Sequence, residues 1–355
     1  MRIGNREIGP GRHTYVIAEM SGNHQQDYDK AVAIIHAAKA AGADAVKIQT
    51  YTADTITLDS DKECFQVRDP NWVGFTMHQV FRRAYTPWEW QPRLKEVANG
   101  LGLDFFSTPF DFTAVDFLEE MGVPCYKIAS FELVDIPLIR KVAATGKPLI
   151  LSTGMGSEAE IREAVDAFRK AGGTDLALLK CTSAYPAPPE EINLNTMIYM
   201  REAFGVDVGL SDHSLGVEVP IAAAAVGASV VEKHLCLDRS EEGPDSYFSL
   251  EPDEFRAMVD GIRKVEAAMG VVTFAVTSKQ QACLISRRSL FVVRDIRAGE
   301  RFTPENVRSI RPGHGLHTRH YDEVLGRSAA CDIRCGTPLE WAHVAGDEKM
   351  GEDGC

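Results

Sequence analysis

The chain has 355 residues, 45% of them hydrophobic and 25% charged, with a formal net charge of −13 at pH 7. This composition is typical of a globular protein, and the acidic excess argues against a nucleic-acid partner because phosphate backbones bind basic surfaces. No apolar run approaches the roughly 20 residues that span a bilayer, and the first residues lack a signal-peptide core. We therefore expect a cytoplasmic protein without a membrane segment.

Eight short runs rich in β-branched residues alternate with helical stretches in the first 270 residues. The runs lie at 15–19, 45–49, 104–107, 125–129, 148–152, 176–180, 207–211 and 229–233. Between them, apolar residues recur at three- and four-residue spacing, for example at 30–41 and 161–171, which is typical of amphipathic helices. Eight strand-helix units predict a (β/α)8 TIM barrel, whose active site lies at the C-terminal ends of its strands.

A second domain is predicted after the barrel, which we assign to 1–270. The periodic pattern weakens over 271–286, which we interpret as a linker. Short apolar runs separated by glycine-containing turns then predict a small, mostly β domain at 287–345, with one helical turn at 304–307. The polar residues 346–355 are expected to be disordered.

Polar residues follow most of the predicted barrel strands and form the candidate site. His213 and His234 end neighbouring strands, so their imidazoles are expected to converge on one divalent ion and to leave positions for water and a substrate oxygen. Lys47 and Lys127 also lie late in strands and predict a positive pocket inside an acidic protein. Carboxylates for acid or base catalysis are found among the same strand-end residues.

Several motifs resemble the sialic acid synthase family: IAEMSGNH at 17–24, LSTGM at 151–155, GLSDH at 209–213 and EKH at 232–234. The terminal domain, with RPG at 311–313, resembles the antifreeze-like (SAF) domain of that family. The motifs QTYTADT at 49–55, AYTPWEW at 84–90, KCTSAYPAPPEE at 180–191 and GLH at 315–317 are most similar to the branch that makes pseudaminic acid. Nearly the whole chain is covered by the resemblance.

This resemblance implies a condensation of phosphoenolpyruvate with the open-chain aldehyde of an N-acetylated amino sugar, with release of phosphate. For this branch the acceptor would be 2,4-diacetamido-2,4,6-trideoxy-altrose. A divalent cation, Mn²⁺ or Mg²⁺, is also implied. So is a homodimer in which each SAF domain caps the barrel of the partner.

The site residues are expected to divide into four groups. Metal ligation is expected of His213 and His234, and catalysis of Glu19, Lys127 and Glu132. Phosphoenolpyruvate binding is expected of Lys47, Thr108, Lys127, Ser130, Ser152, Ser183 and Ser211, although Ser183 stands where sialic acid synthases carry asparagine. The acceptor is expected to contact Asn23, Gln49, Tyr51, Asp54, Tyr185, Asp245 and Arg311.

Other interpretations of the same residues stay open at this point. Glu19 and Glu132 could each simply pair with a neighbouring lysine, and Asp245 could be a turn residue. The side chains of Trp72, Trp88 and Trp90 are expected to pack between the second strand and its helix. Lys127 could instead be the Schiff-base lysine of a class I aldolase.

Two more interpretations concern the whole protein. The acceptor could be that of an N-acetylneuraminate or legionaminate synthase. A chain without catalytic activity could instead bind saccharides through its C-terminal domain.

Overall fold

The computed structural model of the protein describes residues 1–68, 72–241 and 243–346. The chain divides into two compact units, Met1–Gly270 and Val271–Cys355, and each is described by itself. From residue 347 onward, the predicted disordered tail lies outside the described residues. No helix among the described residues is both long enough and apolar enough to span a membrane.

The first unit alternates strands and helices along the chain. Its strands are β1 (Arg2–Ile3), β2 (Arg6–Glu7), β3 (Tyr15–Glu19), β4 (Ala45–Thr50), β5 (Asp104–Pro109), β6 (Tyr126–Ile128), β7 (Leu149–Ser152), β8 (Leu176–Cys181), β9 (Asp207–Asp212) and β10 (Val230–His234). Its helices are α1 (Tyr28–Ala41), α2 (Ala53–Ile56), α3 (Met77–Ala84), α4 (Gln91–Gly100), α5 (Phe112–Met121), α6 (Ile136–Ala143), α7 (Glu158–Lys170), α8 (Asn195–Phe204), α9 (Glu218–Val226) and α10 (Pro252–Met269).

Strands β3 to β10 form a closed parallel barrel, in which β10 pairs with both β9 and β3. The predicted TIM barrel is therefore confirmed. Closure sets the register that matters for the site, because His234 lies opposite Glu19 across the β10–β3 pair. In the same way Gln49 lies opposite Thr108 across the β4–β5 pair.

Local signals explain where the helices begin and end. The Asp27 side chain accepts the Lys30 amide and caps α1, and Asp111 caps α5 in the same way. Gly42 and Gly122 end these two helices with left-handed backbone, at φ 88° and 68°, a conformation that glycine adopts without steric cost. Helices α1 and α7 start two and three residues before the apolar repeats at 30–41 and 161–171, because the repeat of apolar residues does not extend into their first residues.

The two-residue alternation of the strands sorts the lysines into two sets. Lys47 and Lys127 are buried and line the central cavity. Lys233, one residue before His234, faces the other side of the sheet, where its Nζ lies 2.5 Å from Asp212 Oδ2. Because neighbouring residues of a strand point to opposite faces, Lys233 cannot reach the cavity.

The second unit has its own small core. It contains α11 (Ser278–Gln281), β11 (Ser289–Val292), β12 (Val307–Ile310) and α12 (Tyr321–Val324), with β11 and β12 antiparallel. The predicted helical turn at 304–307 is a single turn, in which the Thr303 carbonyl accepts the amides of Asn306 and Val307 just as β12 begins. The core of this unit includes Leu290, Val292, Ile296, Phe302, Val307, Val324 and Leu339.

Candidate active site

A cavity of about 460 Å³ opens at the C-terminal ends of the barrel strands. Every barrel strand, or the residue or two after it, contributes to its lining. These contributions include Glu19, Lys47, Gln49, Thr108, Lys127, Ser130, Ser152, Cys181, Ser211, His213, Glu232 and His234. Parallel strands all end at the same rim, so residues far apart in the chain meet here.

A buried ammonium group lies between two carboxylates on one side of the cavity. Lys47 Nζ is 2.7 Å from Glu19 Oε2 and 3.7 Å from Glu232 Oε1, and it donates to Thr108 Oγ1 at 3.1 Å. Burial raises the pKa of Glu19 to about 7, against the opposing effect of Lys47. Although burial also acts on Glu232, the charges of Lys127 and Lys47 outweigh it and lower the pKa of Glu232. One carboxylate of the pair is therefore ionised near neutral pH while the other can hold a proton.

A second buried ammonium group, that of Lys127, lies beside Ser152, which together with Ser130 forms what we call the serine wall of the cavity. Its Nζ donates to Ser152 Oγ at 2.6 Å and to the Ile128 carbonyl at 2.9 Å. Burial lowers the pKa of Lys127, partly offset by Glu232. Two ammonium groups surrounded by hydroxyls can hold a small, highly charged anion, since hydrogen bonds between charged groups are the strongest available.

Gly154, in the LSTGM motif, allows the serine wall to close. A β-carbon at this position would lie 2.6 Å from Ser130 Oγ and 2.9 Å from Ser183 Oγ, and the backbone has a φ of +42°. Ser130 lines the cavity, whereas Ser183 does not belong to its lining in the described part of the chain. Ser183 instead hydrogen-bonds to the side chain of Tyr185. Its position therefore does not support direct contact with phosphoenolpyruvate and favours an indirect role.

Glu132 enters the cavity from the 3-10 helix that follows β6. Its Oε2 is buried and has no hydrogen-bond partner. Burial raises the pKa of Glu132 to about 7. An unpartnered carboxyl group that titrates near neutral pH is suited to proton transfer.

The two predicted metal ligands lie side by side. The ring centroids of His213 and His234 are 5.4 Å apart, and Phe248 packs against both rings. His213 Nδ1 is 3.0 Å from the Thr182 carbonyl, an acceptor, so in the neutral ring this nitrogen carries the proton and Nε2 keeps its lone pair. Although burial opposes it, the contact with Cys181 raises the pKa of His213. Burial lowers the pKa of His234 well below its ordinary value, which keeps this ring neutral.

These two histidines fit a divalent ion that is also held by other groups. His234 Nδ1 is a buried nitrogen without a hydrogen-bond partner. Within the described ranges, no group of three or more His, Cys, Asp or Glu residues is arranged to hold a metal. The protein would therefore supply two neutral nitrogens, and water and substrate oxygens would complete the coordination.

Four of the predicted acceptor-binding residues line the cavity. The Gln49 amide donates to Glu19 Oε1 and Ser21 Oγ at 3.1 and 2.9 Å, and Tyr185 packs on His213 with a centroid distance of 4.4 Å. Asp245 is half-buried and accepts from Ser21, and Tyr51 is only 3% exposed. Asp245 is thus a cavity residue as well as a turn residue.

The structure places the other three acceptor candidates differently. Asn23 is buried outside the cavity lining and donates to the Leu235 carbonyl and Ser249 Oγ, which gives it a structural role rather than the predicted binding role. Asp54 also does not line the cavity: its side chain is 86% exposed and pairs with His78 Nε2 at 2.8 Å. Arg311 is exposed in the second unit, and its binding role stays a prediction.

Several lining residues were missed from the sequence, among them Glu232 and Cys181, and the packing prediction for the tryptophans was wrong in part. Glu232 lies two positions before His234 on β10, so strand alternation could have placed it in the cavity. Cys181 ends β8 as a buried thiol, and its Sγ is 3.8 Å from His213 Nδ1. Trp72 lines the cavity, and Trp88 packs on Phe117 of α5, the helix after β5, rather than on the helix after the second barrel strand.

Comparison with known protein families gives a match for each of the two units. The NeuB family model matches residues 34–273, and the SAF domain model matches 287–345. The chain belongs to the NeuB family. Family membership agrees with the family resemblance of the strand-end motifs: the NeuB model covers most of the barrel, and the SAF model covers the C-terminal domain.

Individual NeuB relatives are similar over nearly their full lengths. The chain is 44% identical over 340 residues to pseudaminic acid synthase of Campylobacter jejuni serotype O:2, covering 96% of this chain and 98% of the relative. It is 42% identical to pseudaminic acid synthase of Helicobacter pylori, over 91% and 96% of the two chains. Among solved structures, N-acetylneuraminic acid synthetase of Leptospira borgpetersenii is 31% identical with a TM-score of 0.71, over 80% and 94%.

Proposed function

We propose that this protein condenses phosphoenolpyruvate with 2,4-diacetamido-2,4,6-trideoxy-altrose to give pseudaminic acid and phosphate. The observation that carries the proposal is the cavity floor, where two buried ammonium groups lie beside a histidine pair and two carboxyl groups with pKa values near 7. Similarity to pseudaminic acid synthases over nearly the whole chain supports this choice of acceptor over the others in the family. The cytoplasmic location expected from the sequence stays a prediction.

Binding of phosphoenolpyruvate requires cationic groups for its phosphate and carboxylate. Lys47 and Lys127 supply these cations, and the hydroxyls of Thr108, Ser130, Ser152 and Ser211 supply neutral donors around them. Both ammonium groups are held by neighbouring oxygens, so the site is organised before the substrate arrives. The substrate then takes over several of these hydrogen bonds.

Carbon–carbon bond formation joins C3 of phosphoenolpyruvate to the aldehyde carbon of the acceptor. The aldehyde oxygen gains a proton as this bond forms, and protonated Glu19 or Glu132 can supply it because both titrate near pH 7. A divalent ion held by His213 and His234 would polarise the aldehyde carbonyl as a Lewis acid. Water then adds at C2 and loses its proton to a carboxylate. The bond between C2 and the bridging phosphate oxygen then breaks while the new C2 hydroxyl gives its proton to the departing phosphate, which leaves the 2-keto acid.

The experiment that tests this function combines three acceptors with an isotope label. Purified protein, Mn²⁺, phosphoenolpyruvate and N-acetylmannosamine, the diacetamido-altrose or the diacetamido-mannose should give phosphate and product of the nonulosonate mass, with the altrose fastest. Oxygen-18 in the bridging position should leave with phosphate. Label retained in the keto acid would contradict C–O cleavage. No phosphate release with any acceptor would contradict the synthase function, and trapping by pyruvate plus borohydride would favour a Schiff-base aldolase.

The proposal extends to a homodimer in which Arg311 completes the site of the partner subunit. Large apolar side chains in the segments that follow β6, β7 and β9 are exposed, with Phe131 at 58%, Met155 at 59% and Leu215 at 58%. Exposed apolar patches of this kind are typical of protein–protein interfaces. The guanidinium of Arg311 is suited to binding hydroxyl or N-acetyl oxygens.

Complementation between two inactive variants tests this arrangement. Arg311→Ala should lose acceptor binding, and Lys127→Ala should lose phosphoenolpyruvate binding. After subunit exchange, a mixed dimer contains one site with an intact barrel and an intact arginine from its partner, so activity should return to at most about one quarter of the wild-type value for random pairing. Gel filtration and labelled subunits check the exchange. Complete exchange without recovery would contradict a role for Arg311 in the partner's site.

A further inference from the structure

The cavity has two walls of different chemistry. Its floor carries the charged and hydroxyl groups described above. On one side of the mouth, the lining comes from the segment that connects β4 with α4 and from the residue after β5. This apolar wall consists of Ile56, Met77, Val80, Phe81 and Phe110.

Helical spacing and aromatic packing hold the apolar wall in place. Met77, Val80 and Phe81 lie three and four residues apart on α3, so one face of this helix is presented to the cavity. Tyr51, at the end of β4, packs edge-on against Phe81 and Phe110 at centroid distances of 5.6 and 5.2 Å. The wall is therefore joined to the barrel rather than formed by an isolated loop.

Few polar groups face the cavity from this side. Among the described residues between β4 and α4, the lining side chains that carry a polar atom are Tyr51, Thr57 and Trp72. A substrate hydroxyl pressed against the apolar wall would lose water without gaining a hydrogen-bond partner. A methyl group in the same place would gain from burial.

We propose that the apolar wall recognises the deoxygenated C6 end of the acceptor, so that its residues determine specificity for a 6-deoxy sugar. The inference rests on the proposed function, because the aldehyde must reach the polar floor and C6 is the opposite end of the hexose chain. In the diacetamido-trideoxy acceptor, C6 is a bare methyl group. Each acetamido group, in contrast, carries an N–H and a carbonyl that require polar partners.

A matched pair of acceptors isolates this contact. The diacetamido-altrose acceptor and its 6-hydroxy counterpart differ by one oxygen atom, and kcat/KM is measured for both under saturating phosphoenolpyruvate. We expect the 6-deoxy sugar to be preferred by about 10- to 100-fold, the discrimination that an apolar pocket achieves against an added hydroxyl. A ratio near one with a fully active enzyme would overturn the inference and leave the proposed function intact. No activity with either sugar would instead contradict the proposed function.

Two substitutions between β4 and α4 separate an effect of the apolar wall from the general effect of a polar substitution in that segment. Met77 is 39% exposed at the start of α3, so Met77→Gln introduces an amide without burying it fully. This variant should reduce the 6-deoxy preference about three- to tenfold while the KM for phosphoenolpyruvate stays within about twofold of wild type. Leu58→Gln makes a similar change at a residue that is 62% exposed and outside the cavity lining, and it should keep the wild-type preference. Equal preferences in Met77→Gln and wild type, or an equal loss in Leu58→Gln, would overturn the role of the wall.

Discussion

Replacement of either His213 or His234 by alanine is expected to lower kcat/KM by about 10³-fold or more and to remove bound Mn²⁺ from the protein. Within the described part of the chain, these two imidazole nitrogens are the protein ligands available to the proposed ion, so losing one leaves a single ligand. Lewis-acid polarisation contributes several kcal/mol to a transition state, which corresponds to a rate factor of this size. Metal content by mass spectrometry and phosphate release from phosphoenolpyruvate are the two measurements.

His36→Ala is the matched control for this experiment. His36 is exposed on α1, so its loss should change neither metal content nor activity. Circular dichroism checks that the site variants remain folded. Full activity of the wild-type protein after exhaustive chelation would contradict the proposed metal role, as would normal metal content in both site variants.

Glu132→Gln is expected to lower kcat by about 10²- to 10⁴-fold, the usual contribution of a general acid or base, and to stabilise the protein at pH 8. Burial raises the pKa of Glu132 from 4.5 to about 7 in the folded state, so folding favours the protonated acid. Between pH 4.5 and about 7, the Glu132 carboxyl is ionised in the unfolded chain but stays protonated in the folded protein. The contribution to stability is therefore complete below pH 4.5, and it is lost as the pH rises through 7.

The amide of glutamine does not ionise, so the variant avoids this loss. At pH 8 we expect a gain in the free energy of unfolding of about 1 to 3 kcal/mol, and at pH 4 a difference close to zero. Urea denaturation at the two pH values measures both. Glu163→Gln, at an exposed position of α7, is the control and should change neither kcat nor the pH dependence of stability. Unchanged kcat would contradict a catalytic role, and lower stability at pH 8 would contradict the raised pKa.

The barrel and the main chemistry of the site could be predicted from the sequence because both depend on local patterns. Buried parallel strands appear as short β-branched runs, and the residues at their C-terminal ends must meet at one rim once the barrel closes. This reasoning brought Lys47, Lys127, His213 and His234 together although they are distant in the chain. The structure places all four around one cavity.

Tertiary structure alone decided which polar residues reach that cavity. Asn23 lies within a family motif, yet the contacts of its amide with Leu235 and Ser249 place it outside the lining. Asp54 also lies within a family motif, yet its side chain pairs with His78 and does not line the cavity.

The irregular segment between β4 and α4 could not be predicted from periodicity, since α2 and α3 are too short to show a sustained period. Its apolar wall therefore became visible only in three dimensions. A side chain at a strand end has its direction set by the two-residue repeat, whereas a side chain in a connecting segment has its direction set by packing against distant residues such as Tyr51.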